Sequence, residues 1–151
     1  AFSMAVDREK LVNNVIKGGK EPAYAWVPPG LTNPVTKQDF RREGGNLVEY
    51  NPQKAIVHWY TGNRDHMLKL VDLGCYFSIN TNMVNSCNAE KYHLLPLERL
   101  LIESDGPYTR VNKKKYVPSL LRDAYDEISV FYKNFDMISN IYENFKRILS
   151  V

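Results

Sequence analysis

From Ile56 onward the chain repeats one pattern: a short apolar run, a turn carrying Gly or Asn, then a stretch with helical periodicity. Ile56–Tyr60, Cys75–Ile79 and Arg99–Ser104 are the apolar runs. Between the first two, Asn63 or Asp65 can cap a helix through Leu73, with Met67, Leu68, Leu70 and Val71 on one face and Gly74 at its end. After Cys75–Ile79 comes a polar Asn80–Asn88 loop, then a helical piece at Ala89–Leu94 and a break at Pro96. Tyr116–Phe131 and Ile138–Leu149 complete the pattern as helices. Strands alternating with helices at this spacing leave few choices beyond a parallel sheet covered by helices.

Two of these strands end in chemically active side chains. Ile56-Val57-His58-Trp59-Tyr60-Thr61-Gly62 delivers an imidazole, and Leu100-Leu101-Ile102-Glu103-Ser104-Asp105-Gly106-Pro107 delivers carboxylates, each just before a glycine-containing turn. β/α barrels present metal ligands in this way, at the C-terminal ends of their strands. Glu103 and Asp105 are two residues apart, so a regular strand end points both to one face. A hydrolytic two-metal site holds its ions ~3.5–4 Å apart and needs several converging ligands. His58 and Asp105 alone can share one weakly held ion.

The bulk properties narrow the classes. The chain has 151 residues, 44% of them hydrophobic and 25% charged, enough for one core or one core with an appendage. A net charge of +3 is too mild to indicate nucleic acid by itself. Cys75 and Cys87 are the only cysteines and form no C-x-x-C pair, so they read as free thiols of a reducing compartment. No apolar run reaches the ~20 residues of a membrane helix. No segment reads as a signal peptide, and because the chain starts at Ala1 the expectation is that the original N-terminus was removed or not included.

The first third has a different character. Asp7 suits the N-cap of a helix over Arg8–Lys17, with Leu11, Val12, Val15 and Ile16 as its apolar stripe and Gly18-Gly19 as its stop. Lys20–Asn46 is rich in Pro and Gly and reads as a loop, anchored by burial of Tyr24 and Trp26. Asn51 and Pro52 look like the cap and first position of a further helix. The segments Ala1-Phe2-Ser3-Met4-Ala5-Val6-Asp7-Arg8-Glu9-Lys10-Leu11-Val12, Gly18-Gly19-Lys20-Glu21-Pro22-Ala23-Tyr24, Val27-Pro28-Pro29-Gly30 and Tyr50-Asn51-Pro52-Gln53-Lys54-Ala55 resemble an internal piece of periplasmic oligopeptide-binding proteins. The likeness covers about residues 1–55, where the family's helix is cut short by Ile56-Val57-His58. The residues that hold peptide termini in that family lie elsewhere, so no ligand-binding role comes over, and peptide binding is the least favoured function.

A second resemblance spans residues 56–151. Val57-His58-Trp59-Tyr60-Thr61-Gly62, Leu73-Gly74-Cys75-Tyr76-Phe77-Ser78-Ile79, Leu97 through Pro107 and Asn144-Phe145-Lys146-Arg147-Ile148-Leu149 resemble TatD-family metal-dependent deoxyribonucleases, in order and spacing. That resemblance implies an α/β fold made of the last three βα units of a TIM barrel, with the N-terminal helix and loop segment coming from a different fold. It implies His58 as the ligand from the sixth strand, Asp105 as metal ligand and catalytic carboxylate on the eighth, and Glu103 as a second catalytic acid. It implies Mg²⁺ or Mn²⁺, or Zn²⁺, as cofactor, DNA as substrate and a cytoplasmic location, with a periplasmic one left open by the first segment.

The family's first strand supplies an H-x-H pair, and its middle strands supply a Glu and a further His. The three histidines here, His58, His66 and His93, form no such pair. The expectation is therefore a chimera of residues 1–55 and 56–151 whose metal site is incomplete. The alternative is a non-enzymatic interaction or assembly module that self-associates through an exposed sheet edge, or a designed chimera. His66 and His93 read as solvated or packed, Cys75 as a small buried hydrophobe, and Lys113-Lys114-Lys115 as a solvated loop or a phosphate contact.

Overall fold

A computed structural model describes residues 2–150, residues 2 and 3 by backbone alone; Ala1, where the first resemblance begins, and Val151 lie outside them. The chain divides into two compact units, Ala1–Pro52 and Gln53–Val151.

In the first unit Asp7 caps as expected, its carboxylate accepting from the Lys10 N–H at 3.0 Å at the start of α1 (Arg8–Lys10). The helix continues with π-type turns over Leu11–Ile16, where the Lys17 N–H reaches back to the Val12 carbonyl at 2.7 Å. Of the expected stripe only Val12 is buried; Leu11, Val15 and Ile16 are exposed. The expected anchor fares no better, because Trp26 is 91% exposed. Both departures have one cause. A segment this rich in Pro and Gly forms little regular structure and no layer for the apolar side chains to pack under. The segment 20–46 is otherwise the loop expected, with a short α2 (Phe40–Gly44) capped by Asp39. At Pro52–Lys54 the anticipated helix is a single 3₁₀ turn.

The second unit is α/β. Strands β1 (Ile56–His58), β2 (Tyr76–Ile79) and β3 (Leu100–Ile102) form a parallel sheet in the order β1-β2-β3. Val57 pairs with Phe77, and Phe77 with Leu100. Parallel strands need long crossovers. The first is α3 (Arg64–Asp72), where Asn63 caps through the His66 N–H at 2.9 Å and Gly74 ends the helix at φ 80°. The second crossover departs from expectation. The polar run after Ile79 opens with α4 (Thr81–Val84), because the Asn80 side chain caps Met83 at 3.1 Å and is itself fully buried. A 3₁₀ stretch at Ala89–Leu94 follows.

All four β2 residues are buried, and with Val57, Met67, Met83, Tyr92 and Leu100 they make up much of the core. Cys75 is buried at its edge, and burial pushes its thiol pKa up. After β3 comes a hairpin, β4 (Arg110–Val111) with β5 (Lys114–Lys115), then α5 (Leu121–Tyr132) and α6 (Met137–Ser150). The α5 helix begins later than expected because Pro118–Leu120 is a 3₁₀ turn. The α6 helix is tied to β3 by buried Asn144, whose amide donates to the Leu97 and Leu100 carbonyls at 2.7 and 2.8 Å. Among the described residues no helix is long and apolar enough to cross a membrane.

Candidate functional site

The register of the sheet puts the candidate residues together. His58 pairs with Ser78, and Ser78 with Leu101, so these side chains share one face. Two residues further along β2 and β3 the same face carries Asn80 and Glu103. Glu103 is the hub. Its Oε1 accepts from the Asn80 amide at 2.9 Å, and its Oε2 contacts the Ser78 hydroxyl and His58 Nδ1. Its backbone N–H continues the sheet to the Ile79 carbonyl at 3.0 Å. One carboxylate therefore gathers the C-terminal ends of all three strands.

Burial is the main influence on Glu103 and raises its pKa above the ordinary 4.5; the bonds from Asn80 and His58 oppose the rise, and the nearby Asp105 charge adds to it. An ionised Glu103 can only accept, so the His58 ring presents a hydrogen on Nδ1, and in the neutral ring Nε2 keeps its lone pair. The imidazole is largely exposed, whereas Glu103 is not. A carboxylate behind one ring nitrogen with the other turned outward is how metal-ligating histidines are held.

Asp105 lies two residues beyond Glu103 in a backbone conformation of φ 42°, and its carbonyl accepts from the Tyr108 N–H at 2.9 Å. Glycine is required at position 106, where a Cβ would run into the Tyr116 ring. Fully buried Thr109 closes the turn by donating to the Ser104 carbonyl.

His66 is on the exposed face of α3, and His93 stacks on Phe131 with centroids 3.9 Å apart, so neither joins the site. Ser78 and Asn80 were missed in the sequence. The signal was there, since two polar residues at i and i+2 interrupt an otherwise apolar strand.

The donor set does not fit a complete divalent-metal centre. Among the described residues no three His, Cys, Asp or Glu side chains converge as ligands. His58 Nε2 and Asp105 offer at most two donors, whereas a catalytic zinc uses three protein ligands and a water. Both Glu103 oxygens are already engaged with protein donors.

Known proteins divide along the same chain. The family model for TatD related DNase matches residues 41–150. The chain belongs to that family. A putative deoxyribonuclease TATDN1 homolog of Vairimorpha ceranae is 29% identical over 63% of this chain. An uncharacterized metal-dependent hydrolase, YcfH, of Escherichia coli K12 is 34% identical over 50% of it. The dipeptide-binding protein DppE of Bacillus subtilis is 51% identical over 55 residues, 36% of this chain. The matched regions span 38%, 31% and 10% of those three proteins respectively. Both resemblances read in the sequence are thus present, and the α/β part is a partial version of the TIM-barrel fold of the TatD family.

The raised pKa of Glu103 has a consequence for stability. A carboxyl easier to protonate in the folded state favours folding below its ordinary value of 4.5, and that contribution is lost as pH rises through the raised folded value. Glu103→Gln removes the titration. Urea unfolding should therefore find wild type and variant close at low pH, with the variant gaining relative stability as pH rises past 4.5 and then levelling. A gap independent of pH between 4 and 7 would contradict the burial of this carboxyl.

Proposed function

We propose that this chain descends from a divalent-metal phosphodiesterase acting on DNA, and that in the form seen here it is not a competent nuclease. The observation that carries the proposal is the His58–Glu103 contact at the C-terminal end of a parallel sheet, with Asp105 two residues beyond Glu103 in the chain, in a member of the TatD family. His58 Nε2 and Asp105 are the residues that would hold an ion, with Mg²⁺ or Mn²⁺ ahead of Zn²⁺. Glu103 orients His58 through Nδ1 and keeps its ring in the ligating tautomer. The deficit lies upstream. Residues 1–55 contain no histidine, and they resemble a binding protein where the hydrolase family has strands bearing ligands.

The same reading treats the chain as a fusion, with an oligopeptide-binding-like segment over 1–55 joined to a TatD-like part over 56–151. What supports this is the 51% identity of one 55-residue segment to a dipeptide-binding protein, beside a family match that covers residues 41–150. Incubation with single-stranded DNA and Mg²⁺ or Mn²⁺, beside His58→Ala and Asp105→Asn, tests the loss of activity. Background cleavage alone is expected, equal in all three proteins. Metal-dependent cleavage by the wild type that both substitutions abolish would show a working site.

A second reading concerns assembly. An open groove of about 510 Å³ lies between the sheet and α6, lined by Ile56, Leu101, Ile141 and Phe145. Ile138 and Tyr142 beside it are 65% and 60% exposed. We assign this face to a second copy of the chain, since among the described residues the outer edges of β1 and β3 are also without strand neighbours. Sedimentation equilibrium should show concentration-dependent dimerisation that Phe145→Asp reverses. A monomer at every concentration would sink the assembly reading.

A further inference from the structure

We propose that the β4–β5 hairpin and Tyr108 form a binding surface for single-stranded nucleic acid that works without metal. The inference rests on the nucleic-acid reading above and adds to it where the strand is held. Arg110, Lys113, Lys114 and Lys115 put four cations into six residues. The hairpin beginning five residues after Asp105 is rigid. Its turn residues Asn112 and Lys113 have φ of 50° and 65°, the geometry of a tight two-residue turn. Its root is fixed by fully buried Val111, by the Thr81 hydroxyl donating to the Arg110 carbonyl at 2.7 Å, and by the Arg110 N–H donating to Asn82 at 3.0 Å.

Three features are costly for a merely solvated loop. Arg110 and Lys115 stand directly opposite one another in the antiparallel register, a like-charge pair that opposes strand pairing. A lysine occupies a left-handed position where glycine is favoured. The neighbouring acids do not neutralise the lysines. Glu127 accepts from the Asn112 backbone N–H at 2.7 Å and the Asn85 amide at 2.8 Å, and Asp123 accepts from the Asn112 amide at 3.1 Å. Among the described residues Lys113, Lys114 and Lys115 have no ion-pair partner. A polyanion would relieve the repulsion and supply the missing countercharge.

The single-stranded form follows from Tyr108. It is 77% exposed and lies between Asp105 and Arg110 in the chain. An exposed ring two residues before Arg110, at the root of the cationic hairpin, suits a strand whose bases are free to stack while its phosphates meet the charges. A duplex would offer the phosphates but not the base face.

Fluorescence anisotropy with a labelled oligothymidine in EDTA, over a range of NaCl concentrations, tests this in the full chain. Wild type should bind with a log–log salt dependence. The K113Q/K114Q/K115Q variant should lose about 2 from the slope, and Tyr108→Ala should weaken binding roughly 5- to 150-fold with the slope kept. Circular dichroism should be unchanged in both, as the altered side chains are exposed. Wild-type affinity and slope in the lysine variant overturn the hairpin alone, and so does tighter binding to duplex DNA or anionic vesicles. Failure of the wild type to bind any oligonucleotide overturns the nucleic-acid reading and the hairpin with it.

Discussion

One carboxylate joins the ends of all three parallel strands. Glu103, just past β3, takes bonds from Ser78 of the central strand, from Asn80 just past its end, and from His58 at the end of β1. A half-buried carboxylate is expensive unless its lone pairs are filled, and here donors from two other strands fill them. Asn80 serves two ends at once: its oxygen caps α4 while its amide faces Glu103. The site and the start of the second crossover are therefore one hydrogen-bonded unit.

What was legible in the sequence was whatever local periodicity determines. The alternation of strands and helices gave the parallel sheet, and Asn63 with Gly74 marked the ends of α3. What was not legible depended on partners distant in the chain. The polarity of residues 80–88 reads as loop, yet a buried Asn80 turns its first part into a helix because Glu103 and the Met83 N–H satisfy its side chain. Lys113-Lys114-Lys115 reads as a solvated loop or a phosphate contact, because two-residue strands are too short to show alternation. Trp26 reads as an anchor by its type alone, and among the described residues the first unit has no apolar layer to receive it. At the site His58, Glu103 and Asp105 could be named from strand-end position, whereas the roles of Ser78 and Asn80 needed the register.

The same register separates what each strand end holds locally from what would need other strands. The imidazole is still oriented, the Asp105 turn is still shaped by Gly106 and Thr109, and the family likeness extends through α6. None of these depends on ligands from other strands. Preorganisation of two donors survives in a three-stranded sheet, but convergence of a full ligand set does not. The cationic hairpin is supported independently of the strand ends, by α4 and α5.

The central claim is that Glu103 fixes the His58 ring with its hydrogen on Nδ1 and its Nε2 open. Long-range ¹H–¹⁵N correlation of the histidine rings at neutral pH measures this directly. The account predicts a protonated-type nitrogen at Nδ1 and an unprotonated-type nitrogen at Nε2 for His58, and loss of that preference in Glu103→Gln. A His58 ring with its hydrogen on Nε2, or the same tautomer in wild type and variant, would contradict it.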